Sequence, residues 1–248
     1  LISAVSVPLV ADIQFDYRHA VACADIGFDK IRFNPGYVSD ENKIAEVVAA
    51  CKRNGVPIRV GVNSGSVEKR VLEKYSGAAA LAESALYHVA ILEKFGFYDT
   101  VISVKSSSVR ETVEAYEYLS DKCDYPLHLG VTESGSALRG AVKSSVGIGS
   151  LLLKGIGDTM RVSLTGDPRE EIKVAKLILG SLGLKRGGAE IVSCPTCSRC
   201  EYDAESVVRA LEEETGKITK PIKIAVMGCA VNGPGEAKNA DVAVCGGK

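Results

Sequence analysis

Between residues 8 and 164 the chain alternates six short apolar runs, several opened by proline, with helical stretches of roughly 10 to 20 residues. No other feature restricts the fold as strongly. Strand, helix and strand in regular succession is the pattern of parallel βα units, because parallel strands need a crossover on each return. The strands are expected at 8–13, 30–34, 57–62, 100–105, 126–132 and 159–164. Residues 41–55 and 79–96 carry apolar side chains at helical spacing and close on Gly55 and Gly96, where a glycine cap ends a helix. Residues 167–183 show the matching start, with Asp167 as N-cap, Pro168 at the first helical position and acidic residues in the first turn.

In parallel α/β folds the C-terminal ends of the strands carry the binding chemistry, while the opposite ends serve stability. Here those ends carry Asp12, Arg32, Asn34, Arg59, Asn63, Lys105, Glu133, Arg161 and Ser163. One charged residue at a strand end is as readily an ion pair or a helix cap as a ligand contact. Nine across six strands point to a site. Arginine and lysine converging on one rim, with two carboxylates among them, suit an anion that also needs acid, base or hydrogen-bond work. Phosphate or diphosphate is the obvious anion. A formal net charge of −1 over 248 residues gives no bulk reason to expect nucleic acid or an anionic membrane as partner. The apolar runs are too short to span a bilayer. The first residues, without a basic n-region or an A-x-A-like cleavage site, do not read as a signal peptide.

After Ile178 the pattern changes: two strand-like runs follow, each delivering a cysteine, separated by one amphipathic helix. A domain boundary is expected near 184–188, giving domains over 1–184 and 188–248. Cys194 and Cys197 stand three residues apart in SCPTCSRCEYD, Cys229 lies in VMGCAVNGPGEA, and Glu236 follows seven residues later behind a Gly-Pro-Gly loop. Three thiolates and a carboxylate suit an iron-sulfur centre, although ligand type alone does not separate iron-sulfur from zinc. Cys200 keeps a second arrangement open, a closed site built from Cys194, Cys197, Cys200 and Cys229. Cys23, Cys51, Cys123 and Cys245 read as isolated thiols. Eight cysteines scattered this way suit a reducing cytosol better than a disulfide framework.

The motifs VADIQFDYR, IRFNPG, IRVGVNSGS, HLGVTESG, GAVKSSVGIGSLL, GIGDTMRVSL, CPTCSRCEYD and GCAVNGPGEA run along nearly the whole chain. Together they resemble the 4-hydroxy-3-methylbut-2-enyl diphosphate synthase family, iron-sulfur enzymes of isoprenoid biosynthesis in bacteria. The resemblance implies a TIM-type barrel joined to a small α+β iron-sulfur domain, a cytoplasmic homodimer, and a 4Fe-4S cluster fed by flavodoxin or ferredoxin. It implies reductive dehydration and ring opening of 2-C-methyl-D-erythritol 2,4-cyclodiphosphate. The cluster ligands would be Cys194, Cys197, Cys229 and Glu236, leaving Cys200 a neighbour. Arg32, Arg59, Lys105 and Arg161 would grip the diphosphate, helped by Asn63 and Ser163. Asp12 and Glu133 would face the reacting carbons, with Glu133 as proton donor.

The chain departs from the family pattern in two ways. Gln14 stands where the motif usually has histidine, which replaces an ionisable contact with a neutral one. Only about six of eight barrel strands are present, so the chain reads as a fragment without strands one and two, with two parallel edges left unpaired. The rival reading is a non-catalytic module, stabilised by zinc or a cluster, that binds a phosphorylated ligand. An aldolase-type barrel with Lys105 as Schiff-base lysine is a third, and it leaves the cysteine motif without a purpose.

Overall fold

The computed structural model describes residues 2–14, 16–33, 38, 40–185, 187–231 and 233–247. They form two compact units, Leu1–Ile178 and Leu179–Lys248.

In the first unit β1 (Val10–Ile13), α1 (Tyr17–Asp25), β2 (Lys30–Phe33), α2 (Glu41–Asn54), β3 (Ile58–Asn63), a short α3 (Lys69–Leu72), α4 (Gly77–Lys94) and β4 (Thr100–Lys105) follow in order. α5 (Val109–Ser120), β5 (His128–Leu129), α6 (Ala137–Leu153), β6 (Thr159–Met160) and α7 (Pro168–Ser181) complete the alternation. β1 to β4 form one parallel sheet in sequence order, and β5 pairs with β6 in a second. A single bridge between Ile102 and Leu127 joins the two. This is the expected α/β architecture: six parallel strands of a TIM-type barrel, not closed upon themselves.

Local chemistry explains the element ends. Asp40 caps α2 by accepting from the Asn42 N–H at 3.0 Å, and Gly55 ends it at φ 65°, a left-handed conformation that a Cβ disfavours. Asp167 caps α7 through the Arg169 N–H at 2.9 Å, with Pro168 first in the helix. Alternate strand residues such as Ile31, Phe33, Ile58, Val60 and Ile102 are at most 2% exposed and form the apolar side of the sheet. Their neighbours in sequence turn to the other side, where the charged residues lie.

The strands expected at 126–132 and 159–164 are each only two residues long as ladders. Between β4 and β5 direct pairing is interrupted by Tyr116, a fully buried residue of α5. Its hydroxyl accepts from the Val104 N–H at 3.2 Å and donates to the His128 carbonyl, so the phenol stands where direct pairing of β4 and β5 would run. Extended pairing persists on either side of the ladders, with the Thr132 N–H on the Ser106 carbonyl at 3.2 Å and the Arg161 N–H on the Leu129 carbonyl at 2.9 Å. Burial pushes the Tyr116 pKa upward, so the hydroxyl keeps its proton. Asn34, expected at the end of the second strand, lies outside the described residues.

The second unit holds β7 (Ala189–Ser193), α8 (Ala204–Thr215), β8 (Ile222–Met227), a single turn α9 (Gly233–Glu236) and β9 (Val242–Cys245). Its sheet is parallel, in the order β7-β8-β9. The sequence reading placed two strands here and missed the third. β9 is mostly exposed and lacks the buried–exposed alternation of equally short strands such as β1 and β2.

Tyr116→Phe tests the phenol. It leaves a buried N–H and a buried carbonyl without their partner, which should cost about 1–3 kcal/mol of unfolding free energy in urea titrations of the chain.

Candidate functional site

The register of the first sheet aligns Asp12 on β1, Arg32 on β2 and Arg59 on β3 in one row. Paired residues of neighbouring strands point to the same face, so these three side chains project together, away from the apolar side. Farther along, Asn63 of β3 is level with Lys105 of β4 on that face. Arg59 is therefore not at a strand terminus, as the sequence reading had it. It is the second residue of β3, brought level with Arg32 by the stagger that tilted barrel strands impose.

Glycines make room for the cations. A Cβ at Gly61 would stand 2.5 Å from Arg32 Nε, so the Arg32 side chain runs across the space a larger residue would fill. A Cβ at Gly130 would likewise be 3.0 Å from Lys105 Cε and 2.8 Å from the Arg161 carbonyl. Arg32 donates to Asp12 at 2.8 Å. Arg59 and Lys105 make no hydrogen bond or ion pair with another described residue. Burial, then the nearby Arg32, hold the Arg59 pKa below its ordinary value. Burial and the positive charges of Arg59, Arg161 and Arg32 bring Lys105 down to about 7.

Sequence reasoning missed His128. It stands two residues before Gly130 on β5 and so shares its face, a signal that alternation could have supplied. Its Nδ1 lies 2.9 Å from Thr159 Oγ1, and its Nε2 is buried without a partner among the described residues. Burial and the charges of Lys105, Arg59, Lys30 and Arg161 push its pKa to about 2, leaving a neutral ring among cations. Lys30 joins the group in the same way, two residues before Arg32.

The remaining candidates sit farther out. Arg161 is 57% exposed and lies 3.9 Å from Glu171, whose other carboxylate oxygen accepts from the Leu164 N–H at 2.9 Å. Ser163 is in the segment just after β6, half-buried. Glu133 is exposed in the turn between β5 and α6, at φ 52°, the one non-glycine residue at positive φ among those described. Ser134, whose hydroxyl donates to the Val131 carbonyl at 3.0 Å, and Gly135 at φ 90° shape that turn. A left-handed glutamate costs on the order of 1–3 kcal/mol, and such strain concentrates at working positions. Gln14 is exposed just past β1.

In the second unit the ends of three adjacent strands gather the thiols. Cys194 follows β7, and its sulfur accepts from the Gly228 N–H at 3.1 Å, just beyond β8. Cys229 is next and is buried. Cys245 ends β9 in register with Met227 and packs with Cys194 against the core formed by Ala225, Met227 and Ala237. It is thus no isolated thiol, and β9, the strand the sequence reading missed, delivers it. Cys200 donates to the Tyr202 carbonyl at 3.1 Å, and its sulfur would stand 2.6 Å from a Cβ on Gly228. Cys197 is exposed. Hydrogen bonds from Arg199 draw its pKa down, while the nearby Cys229 opposes them.

Glu236 ends α9, whose Gly233 packs on Met227 and Cys245. Its side chain is exposed and has no hydrogen-bond or ion-pair partner among the described residues. No three His, Cys, Asp or Glu side chains converge on a single-ion site among the described residues. None of the eight cysteines, all of them among the described residues, is in a disulfide. No helix is long and apolar enough to cross a membrane among the described residues.

Comparison with known proteins gives these features a family. Residues 1–176 match the GcpE TIM-barrel domain, and residues 190–248 match the GcpE protein C-terminal domain. A protein of Ruminiclostridium cellulolyticum named 4-hydroxy-3-methylbut-2-en-1-yl diphosphate synthase (flavodoxin) is 57% identical over 98% of this chain and 69% of its own length. Relatives of the same name from Caldanaerobacter subterraneus and Clostridium perfringens are 55% and 53% identical, covering 98% and 100% of this chain and 69% and 72% of theirs. With both domain models matched and more than half of its residues shared with these relatives, the chain belongs to the GcpE family.

Proposed function

We propose that this chain carries out the reaction named for its relatives, forming 4-hydroxy-3-methylbut-2-enyl diphosphate by reductive ring opening of 2-C-methyl-D-erythritol 2,4-cyclodiphosphate. The observation that carries this reading is the gathering of Arg32, Arg59, Lys105 and Arg161 about one face with Asp12 as the only carboxylate in the row. Cations that repel one another, enough to lower the pKa values of Arg59 and Lys105, need an anion to complete them, and a diphosphate supplies one. In this reading Asn63 and Ser163 add hydrogen bonds, Asp12 orients Arg32 and faces the carbon skeleton, and Glu133 delivers a proton to the departing oxygen, which leaves as water.

The reading includes a 4Fe-4S cluster held by Cys194, Cys197, Cys229 and Glu236, electrons from flavodoxin or ferredoxin, a homodimer, and a cytoplasmic setting. The donor set fits the cluster. Each thiolate of a four-iron cube binds its own metal atom, and Cys194 and Cys229, just past adjacent strands with the Cys194 sulfur accepting a backbone N–H, suit such a group. When bound, such a cluster supplies single electrons and a Lewis-acidic iron at the corner held by an exchangeable carboxylate. The chain's part is to keep the thiols at the strand ends and to present Glu236 at the end of the Gly-Pro-Gly turn α9.

Anaerobic reconstitution of the intact protein with iron and sulfide tests this assignment. Cys229→Ala should abolish the visible absorption and EPR signal of the cluster, whereas Glu236→Ala should retain them and lose most turnover. Full activity in either variant, or a colourless protein holding stoichiometric zinc, overturns the roles given.

Diphosphate binding should also take up a proton. Lys105 titrates near 7 in the free site, and an anion beside it favours the charged form and raises that value. Affinity is then flat below about pH 7 and falls as pH rises between the free and bound pKa values. Calorimetric titrations in buffers of different ionisation enthalpy check this: proton uptake at pH 8 in the wild type, and its loss in Lys105→Arg.

A further inference from the structure

Glu68 stands five residues after Asn63, immediately before α3, and α4 holds both of its carboxylate oxygens. Oε2 accepts from Ser84 Oγ at 2.7 Å, and Oε1 lies against Nε2 of His88. Ser84 and His88 are one helical turn apart and are 0% and 3% exposed. The next turn of the segment is tied to the same helix, since the Arg70 guanidinium lies 3.1 Å from the centroid of the Tyr87 ring. Burial lowers the His88 pKa against the opposing pull of Glu68, and the imidazole and carboxylate lie in close contact on the buried face of α4.

On the other side of Glu68 the chain is fixed just as closely. The Ser66 hydroxyl accepts from the Asn63 N–H at 3.0 Å and donates to the Asn63 carbonyl at 2.9 Å, closing a single 3-10 turn over Ser64–Ser66. Asn63 in turn shares a face and a register position with Lys105. An unbroken set of contacts thus runs from the buried face of α4 to the anion site.

Packing alone does not require it. A carboxylate taken from water into contact with a buried imidazole costs desolvation, and an apolar pair of the same size would dock the loop on α4 as well. What a hydrogen-bonded cluster adds is direction, because donors and acceptors fix orientation where apolar contacts do not.

We propose that Glu68, gripped by Ser84 and His88, is a positioning residue that holds the 63–68 segment so that Asn63 faces the anion bound among Arg59 and Lys105. The inference rests on the proposed diphosphate site. Hydrogen exchange at the 64–67 amides and calorimetry with inorganic diphosphate test it in the intact protein. Glu68→Ala should speed exchange at 64–67 and weaken diphosphate about tenfold, as small misplacements of a binding group do. Glu68→Gln, which keeps an acceptor for Ser84, should restore both.

Should Glu68→Ala fail to fold, Ser84→Ala serves as the milder variant, with the same two changes in smaller degree. Folded variants with unchanged exchange at 64–67 overturn the anchor, as does a loosened loop with undiminished diphosphate affinity. Wild-type protein that ignores diphosphate overturns the functional reading instead, and exchange at 64–67 then still decides whether Glu68 holds the loop.

Discussion

Mutual repulsion among cations is the constraint around which the first unit is organised. Arg32, Arg59 and Lys105 project from neighbouring strands at the spacing of a parallel sheet, partly removed from water, with one carboxylate between them. Such a group is tolerable only where the backbone is rigid and the side chains have fixed paths. Gly61 and Gly130 supply the paths by leaving out the methyl groups that would block Arg32 and Lys105. The apolar side of the same strands supplies the rigidity, with Ile58, Val60 and Ile102 closed against helices. Fold and site are therefore two faces of one sheet.

The second unit answers a different demand with similar means. In the proposed assignment sulfur ligands must be held close without side chains intervening, and the parallel order β7-β8-β9 brings three strand ends side by side. Gly228 and Gly246 let the backbone segments approach: a Cβ on Gly246 would stand 2.3 Å from the Gly228 carbonyl oxygen, and one on Gly228 would strike the Cys200 sulfur. Cys200 and Cys245 fill this tight region as non-ligands in the proposed assignment, and Tyr202, whose hydroxyl donates to the Met227 carbonyl at 3.1 Å, covers it.

How much of this is legible in the sequence depends on whether the signal is local. The βα succession, the caps at Asp40, Gly55 and Asp167, and the charged residues alternating with apolar ones are local, and they were readable. The interrupted pairing of β4 and β5 was not, because it stems from Tyr116, distant in sequence from Val104 and His128 and marked there only as one more aromatic on a helix. β9 is mostly exposed, without the alternation that marks β1 and β2, and so Cys245 was misplaced. Arg59 was given to a strand end because sequence shows alternation but not stagger. The Glu68–His88 cluster is silent for the same reason: the partners belong to separate elements, and each alone reads as a surface acid or a core histidine.

The turn carrying Glu133 has its own implication. Glycine or asparagine would occupy that left-handed backbone more comfortably than glutamate does. With Glu133 as the proposed proton donor, selection for sturdiness and selection for an acid at this point therefore pull in opposite directions. Heat-adapted descendants chosen only for how long they survive would be expected to discard the carboxylate early, and to become firmer and idle together.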